Sequence, residues 1–351
     1  MIRHTVCRAY PVGDYESKDP ELACLHYLDF RQVITVLVSL ERGERLAERL
    51  DAVSSSNFRW RSPSGDEEAE AAGVEADACS AWSACPSQKD DDPRTFFVFG
   101  DSYADTGNAP FIASSWRSPY GLSWPGRPTG RFSDGIVKTD VLASEALCLP
   151  SPPPYAQILN ASLSGGINFA VAGSGTMQAF GTPPFGDQVD WFSGYVDSKL
   201  FSPYLLKNAV VFVSVSGNDY AVYNGTTLQG YLPLVTQVVD LIERNLRQLY
   251  TLGVRNFMVS TLAPLRCLPA RTASTGLTEG LRPCCTGACG ETDETGKHLY
   301  EVCDDPNKYL FWDYFHPTQA GWKAVVNLYS RKTRPGFTRI SPSLAAWADN
   351  L

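Results

Sequence analysis

The chain has 351 residues, enough for a full hydrophobic core, and one large domain plus a tail is its simplest division. Its formal net charge is -8 and no basic patch interleaved with aromatics occurs, so nucleic acid is not an expected partner. No apolar run approaches membrane-spanning length: Ile34 to Leu40 and Val210 to Val215 are both too short, and no transmembrane segment is expected.

Residues 1–93 open with mixed polar and charged residues and lack the basic start, apolar core and small-residue cleavage site of a signal peptide. Phe30 to Val53 reads as an amphipathic helix, with Val33, Leu37, Leu40 and Leu50 on a loosely periodic face. From Ser54 to Asp92 the composition turns to Ser, Ala, Glu and Asp, which favours disorder. The stretch is therefore expected to be a largely disordered extension, a tail rather than a regulatory arm. After Thr95 strands fall near 95–100, 167–172, 209–216 and 256–262. A helix from Leu232 to Leu252 lies between the last two, with Val235, Val238, Val239, Ile242, Leu246 and Leu249 as its core stripe and Gly253 as its cap. Alternating strand and helix predict an α/β domain, a parallel sheet covered on both faces, with its ligand at the carboxyl ends of the strands.

The chemistry is concentrated at those ends. The apolar run Phe96-Phe97-Val98-Phe99-Gly100 leads into Asp101-Ser102, and far downstream Asp313 precedes His316 by three positions. One turn of backbone holds such a carboxylate and imidazole on one side, so Asp313 can orient His316 and His316 can take the proton of Ser102. The chain has only four histidines. His4 and His26 lie in the atypical extension and His298 in a polar stretch, which leaves His316 as the plausible base. Acyl transfer also needs donors for the oxyanion. Gly173 and Gly175 lie in a glycine turn after the second strand, and Asn218 follows the third, in Ser216-Gly217-Asn218-Asp219. Taken singly, each of these is more ordinarily a turn or a helix cap; their joint occurrence points to a site. No Gly-x-Ser-x-Gly nucleophile elbow is present.

Together these segments resemble the plant-type GDSL esterase/lipase family of the SGNH hydrolases. The blocks are Gly100-Asp101-Ser102-Tyr103, the glycines at 173 and 175, Gly217-Asn218-Asp219 and Asp313-Tyr314-Phe315-His316, in the family's order. Pro128 to Gly135, Ser260 to Pro264 and the cysteine-rich stretch before the last block extend the likeness. The resemblance implies a three-layer α/β/α sandwich on a parallel, flavodoxin-like sheet, here spanning residues 94–335, with 336–351 as a tail. It implies a serine ester hydrolase that works through an acyl-enzyme on small-molecule or lipid esters and needs no cofactor. Ser102 would be the nucleophile, His316 the base, Asp313 its orienter, and Asn218 with Gly175 (favoured) or Gly173 the oxyanion donors. Two departures stand out: Tyr103 replaces the family's leucine, and Arg266 stands where a glycine is usual.

A larger departure follows the fourth strand. The family has a long helix and a fifth strand before the cysteine-rich loop, whereas here Arg271 to Gly280 runs almost directly into Leu281-Arg282-Pro283-Cys284. The missing strand is expected to be an edge, leaving its neighbour as an exposed edge and apolar surface uncovered. That deletion motivates an alternative, a catalytically weak or inactive relative that binds esters or glycans. A flavodoxin-like phosphate binder is a third possibility, but it lacks a Walker lysine and a complete Gly-x-Gly-x-x-Gly. Of ten cysteines, Cys284, Cys285, Cys289 and Cys303 cluster without a Cys-x-x-Cys spacing, which favours disulfides over zinc and leaves the pairing open. Cys267 is expected to have lost its partner with the deleted segment. Asn160 and Asn224 begin glycosylation sequons. Cysteines, sequons and resemblance imply secretion, although this amino terminus shows no export signal.

Overall fold

The computed structural model describes residues 35–39, 94–158, 163–225, 228–260, 268–269, 282–330 and 347. Four strands form the main sheet: β1 (Thr35–Ser39), β2 (Phe96–Gly100), β3 (Val210–Ser214) and β4 (Asn256–Ser260), in the order β1-β4-β3-β2. β2, β3 and β4 run parallel, Phe96 opposite Val210 and Val210 opposite Asn256, while β1 pairs antiparallel with β4, Leu37 opposite Met258.

Both faces of β2 and β3 are apolar because helices cover both. On one side Phe96, Val98, Val210, Phe212 and Met258 pack with Val141, Leu142, Trp322 and Val326. These come from α1 (Lys138–Val141), its π-helical continuation Leu142–Leu147, and a carboxyl-terminal helix, Gln319–Ser330. On the other side Phe97, Phe99, Val211, Val213 and Phe257 pack with α2 (Phe185–Asp197) and a long helix, Leu228–Thr251. This second layer is an aromatic cluster, with Phe97 and Phe99 both edge-on to Phe192 and Phe99 stacked on Phe169 at 5.3 Å. Such pairs add about 0.5–1.5 kcal/mol each beyond the area they bury. Two short helices, α3 (Pro203–Asn208) and α4 (Gly217–Ala221), lead into and out of β3. In chain order the long helix is α5 and the carboxyl-terminal one α6. The result is the expected three-layer α/β/α sandwich.

Four details differ from the sequence expectations. The expected strand at 167–172 is a flanking segment: it bonds β2 through Val98 N to the Ile167 carbonyl and Phe169 N to the Val98 carbonyl, with one parallel bridge at Asn168. On its other side it is tied to loops, since Asn168 N donates to the Pro153 carbonyl. The stripe on α5 is core only in part. Val238, Leu246 and Leu249 are buried, but Val235 and Val239 are 37% and 53% exposed, and Leu232 is exposed as well. The first turns of α5 are thus covered less than its second half, which packs in the aromatic layer.

The third and fourth differences concern the edge. Residues 35–39, read as part of an amphipathic helix inside a disordered extension, form β1 instead. Their β-branched and leucine content suits a strand, and five residues are too few for the 3.6-residue period to decide. Accordingly the outer side of β4 is not an open edge: β1 pairs with it along its whole length. The rest of residues 1–93, the shortened segment 271–281, Cys267, Arg266 and Asn160 lie outside the described residues.

Past the sheet, β5 (Cys285–Thr292) and β6 (His298–Val302) form an antiparallel hairpin. Disulfides, favoured over zinc in the sequence, join Cys284 to Cys303 and Cys285 to Cys289, a pairing the sequence left open. Around them Tyr120 and Trp312 make a small separate core.

Candidate active site

β2 ends where a side chain cannot follow. Gly100 has φ +146° and a Cβ there would lie 2.0 Å from the Ser214 carbonyl oxygen. Past it, Asp101 N donates to that same carbonyl, and the N–H groups of Ala104 and Asp105 donate to the Asp101 carbonyl. This single turn holds Ser102 at the carboxyl end of the sheet, 9% exposed.

The Asp313–His316 segment reaches Ser102 from the hairpin. Cys284 N and Cys285 N donate to the Phe311 and Trp312 carbonyls, so the disulfide-clasped hairpin carries the loop. Within it Asp313 Oδ1 accepts from Phe315 N and His316 N, both at 2.8 Å, which closes the turn the three-residue spacing predicted. His316 Nδ1 lies 2.8 Å from Asp313 Oδ1, and His316 Nε2 lies 2.9 Å from Ser102 Oγ. Burial by itself pushes the Asp313 carboxyl up, but the neighbouring His316 charge and the hydrogen bonds from His316 and Phe315 outweigh it and hold Asp313 below the ordinary carboxylate range. The imidazole is braced by rings: Phe132 lies 4.7 Å away and Tyr103 meets it edge-on at 5.9 Å. Tyr103, the replacement for leucine, also donates from its hydroxyl to the Phe315 carbonyl at 2.8 Å.

The Pro128–Gly135 block, whose role was not legible in sequence, backs this loop. Gly121 N donates to the Ser133 carbonyl and Ser123 N to the Asp134 carbonyl, which sets Tyr120 against the site. Tyr120 Oη then donates to Asp313 Oδ2 at 2.8 Å. Arg131 makes a two-pronged ion pair with Asp140 at 2.8 and 2.9 Å and donates to the Thr106 carbonyl, tying the block to the nucleophile loop.

The glycine turn and Asn218 come together. Asn218 Nδ2 donates to the Ser174 carbonyl at 2.8 Å. Asp219 accepts from Thr176 N at 2.7 Å and Met177 N at 2.9 Å, and a Cβ on Gly175 would lie 2.6 Å from Asp219 Oδ1, so only glycine fits there. Gly173 adopts φ +87°. The N–H groups of Ser102, Gly173 and Gly175 donate to no other described residue. Ser216, two residues before Asn218, holds φ +127°, a strained conformation for a side-chain-bearing residue. Asp105 Oδ2 accepts from Ala172 N at 2.8 Å and ties this turn to the nucleophile loop.

Sequence reasoning missed the burial of two ionisable groups, Lys138 and Asp101. Lys138 on α1 donates to Ser260 Oγ at 2.5 Å and lies over the Phe212 and Trp322 rings. Burial lowers its amine to about 7 against the opposing pull of Asp101, and burial raises Asp101 to about 7. No motif or spacing in the sequence marked Lys138 as buried. Among the described residues no cluster of His, Cys, Asp or Glu could hold a metal ion, and no helix is long and apolar enough to cross a membrane. Asn224 is exposed.

A serine, an imidazole and a carboxylate in series, at the carboxyl end of a parallel α/β sheet and without a nucleophile elbow, define a serine hydrolase of the SGNH type. The chain belongs to the GDSL-like Lipase/Acylhydrolase family, which it matches over residues 96–328. It is 34% identical to GDSL esterase/lipase At5g03610 of Arabidopsis thaliana, over 67% of this chain and 86% of that one. GDSL esterase/lipase At3g09930 of the same plant is 33% identical over 67% and 87%, and At5g18430 is 35% identical over 66% and 87%. The first alignment runs over 308 residues, more than two-thirds of a 351-residue chain can supply, so the relative has stretches without a counterpart here. That is in keeping with the shortened segment expected from the sequence. The protein is a carboxylic ester hydrolase, and the family likeness favours this over a non-catalytic binder.

Proposed function

We propose that Ser102 attacks the ester carbonyl, with His316 as base and Asp313 as its orienter. The observation that carries this reading is the 2.9 Å contact between His316 Nε2 and Ser102 Oγ, made by residues 214 positions apart. As Oγ bonds to the carbonyl carbon, its proton passes to Nε2, and the imidazolium that forms faces the ionised Asp313. The carbonyl oxygen becomes an oxyanion held by Ser102 N, by Gly175 N or Gly173 N, and by the second N–H of the Asn218 amide, whose first is bonded to Ser174. The imidazolium protonates the departing alcohol, and water then cleaves the acyl-enzyme by the reverse proton path. No metal or cofactor enters these steps.

The substrate is a small-molecule or lipid ester. Residues 94–335 form the hydrolase domain; the 1–93 extension adds the strand 35–39 to its sheet and the 336–351 tail adds Trp347 to its core. The hairpin's disulfides and the exposed Asn224 support secretion with glycosylation at Asn160 and Asn224. Purified protein should hydrolyse a short p-nitrophenyl ester, and Ser102→Ala should remove that activity with the melting temperature kept. Undiminished turnover in Ser102→Ala overturns the assignment.

A further inference from the structure

The two halves of the candidate site, nucleophile loop and oxyanion side, come from different parts of the sheet and must keep one spacing. Besides Asp105, a second buried side chain spans them. Gln188 on α2 is completely buried. Gly100 N, which a continued ladder with the flanking segment would hand to the Phe169 carbonyl, donates instead to Gln188 Oε1 at 2.8 Å. Gln188 Nε2 donates to the Gly100 carbonyl at 2.9 Å and to Ser174 Oγ at 3.1 Å. Ser174 in turn donates from Oγ to the Pro183 carbonyl, and its own carbonyl accepts from Asn218 Nδ2.

We propose that Gln188 is a positioning residue that sets the distance between the Ser102 loop and the Asn218–glycine oxyanion side. The proposal rests on the assignment of Ser102 as nucleophile. The carboxamide replaces one rung of the sheet at the last residue of β2, two positions before Ser102. It spends its second N–H on the residue between Gly173 and Gly175. Both its hydrogens and its oxygen are used, and the orientation is forced, because only the oxygen can face the Gly100 N–H. No aliphatic side chain of similar length satisfies either group, and a buried peptide N–H left without an acceptor moves or draws in water. A displacement of Ser102 relative to the oxyanion donors by as little as about 1 Å is enough to lower a rate on the order of a hundredfold.

The test compares Gln188→Met, Gln188→Glu and a control, Val189→Ala, which cuts a fully buried neighbour on the same helix. For Gln188→Met the expected result is a kcat lowered by roughly 10- to 100-fold, KM within about threefold, and a matching fall in the rate at which a fluorophosphonate labels Ser102. Val189→Ala should lose melting temperature and keep kcat within about twofold, since it touches only the core. Gln188→Glu, while protonated, can still accept from Gly100 N and donate one hydrogen. Its activity relative to wild type should exceed that of Gln188→Met at low pH and fall as the carboxyl ionises.

A Gln188→Met enzyme with wild-type kcat overturns the proposal, as does a Val189→Ala enzyme with the same loss. Should Gln188→Met fail to fold, a Gln188→Glu activity ratio independent of pH overturns it instead. Failure of wild-type protein to label at Ser102 counts against the nucleophile assignment, whereas labelled wild type with unaffected Gln188 variants sinks this proposal alone.

Discussion

Asn218 Nδ2 already spends one hydrogen on the Ser174 carbonyl, so its amide is held in place before any substrate arrives. A donor fixed in this way requires no reorganisation as the oxyanion forms, which is where such groups act most strongly. Asn218→Ala should lower kcat by about 10²–10³ with KM changed little, measured on the same p-nitrophenyl ester. A loss confined to KM contradicts an oxyanion role. Lys138 allows a prediction about stability instead. The unfolded chain takes up a proton at this amine as pH falls through 10.5, but the folded protein does so only near 7. Lys138 therefore costs increasing stability from about pH 10 down to about pH 7, and the cost levels off below that. Lys138→Met should raise the melting temperature at pH 7 and lose that advantage towards pH 10. A gain equal at both pH values, or a loss at pH 7, contradicts the buried-charge account.

Among the elements, β1 and β4 show most clearly what sequence pattern could and could not supply. The runs of β2 and β3 are apolar on both faces, aromatic in β2 and largely β-branched in β3, and their strands and parallel order follow from them. β1 was illegible because its five residues sit in a polar extension, and its pairing depends on an edge offered by β4 more than two hundred residues later. Periodicity in α5 marked the helix but not its covering, since nothing in the stripe itself tells that Val235 and Val239 fall outside the packed half. If β1 covers the edge of β4, removing residues 1–93 should speed amide hydrogen exchange in 256–260 and promote concentration-dependent self-association. Sedimentation and exchange unchanged from the full chain contradict this pairing.

At the scale of the whole molecule, the site reads from sequence as four blocks, and the structure brings those blocks together. Ser102, Asp313 and His316 were legible because their residue types and order suit one chemistry. Tyr120, Phe132, Gln188 and Lys138 were not, because each acts through a contact that no spacing reveals: Tyr120 meets Asp313 from 193 positions away and Gln188 meets Gly100 from 88. The shortened segment after β4 raised the prospect of a misplaced base, yet the loop bearing His316 is anchored to the β5–β6 hairpin and its two disulfides. The most direct measurement is therefore covalent trapping: treat the folded protein with a fluorophosphonate and map the adduct by peptide mass spectrometry. One adduct is expected, on Ser102, that disappears in His316→Ala. An unmodified Ser102 in folded protein, or labelling undiminished without the imidazole, contradicts the proposed mechanism.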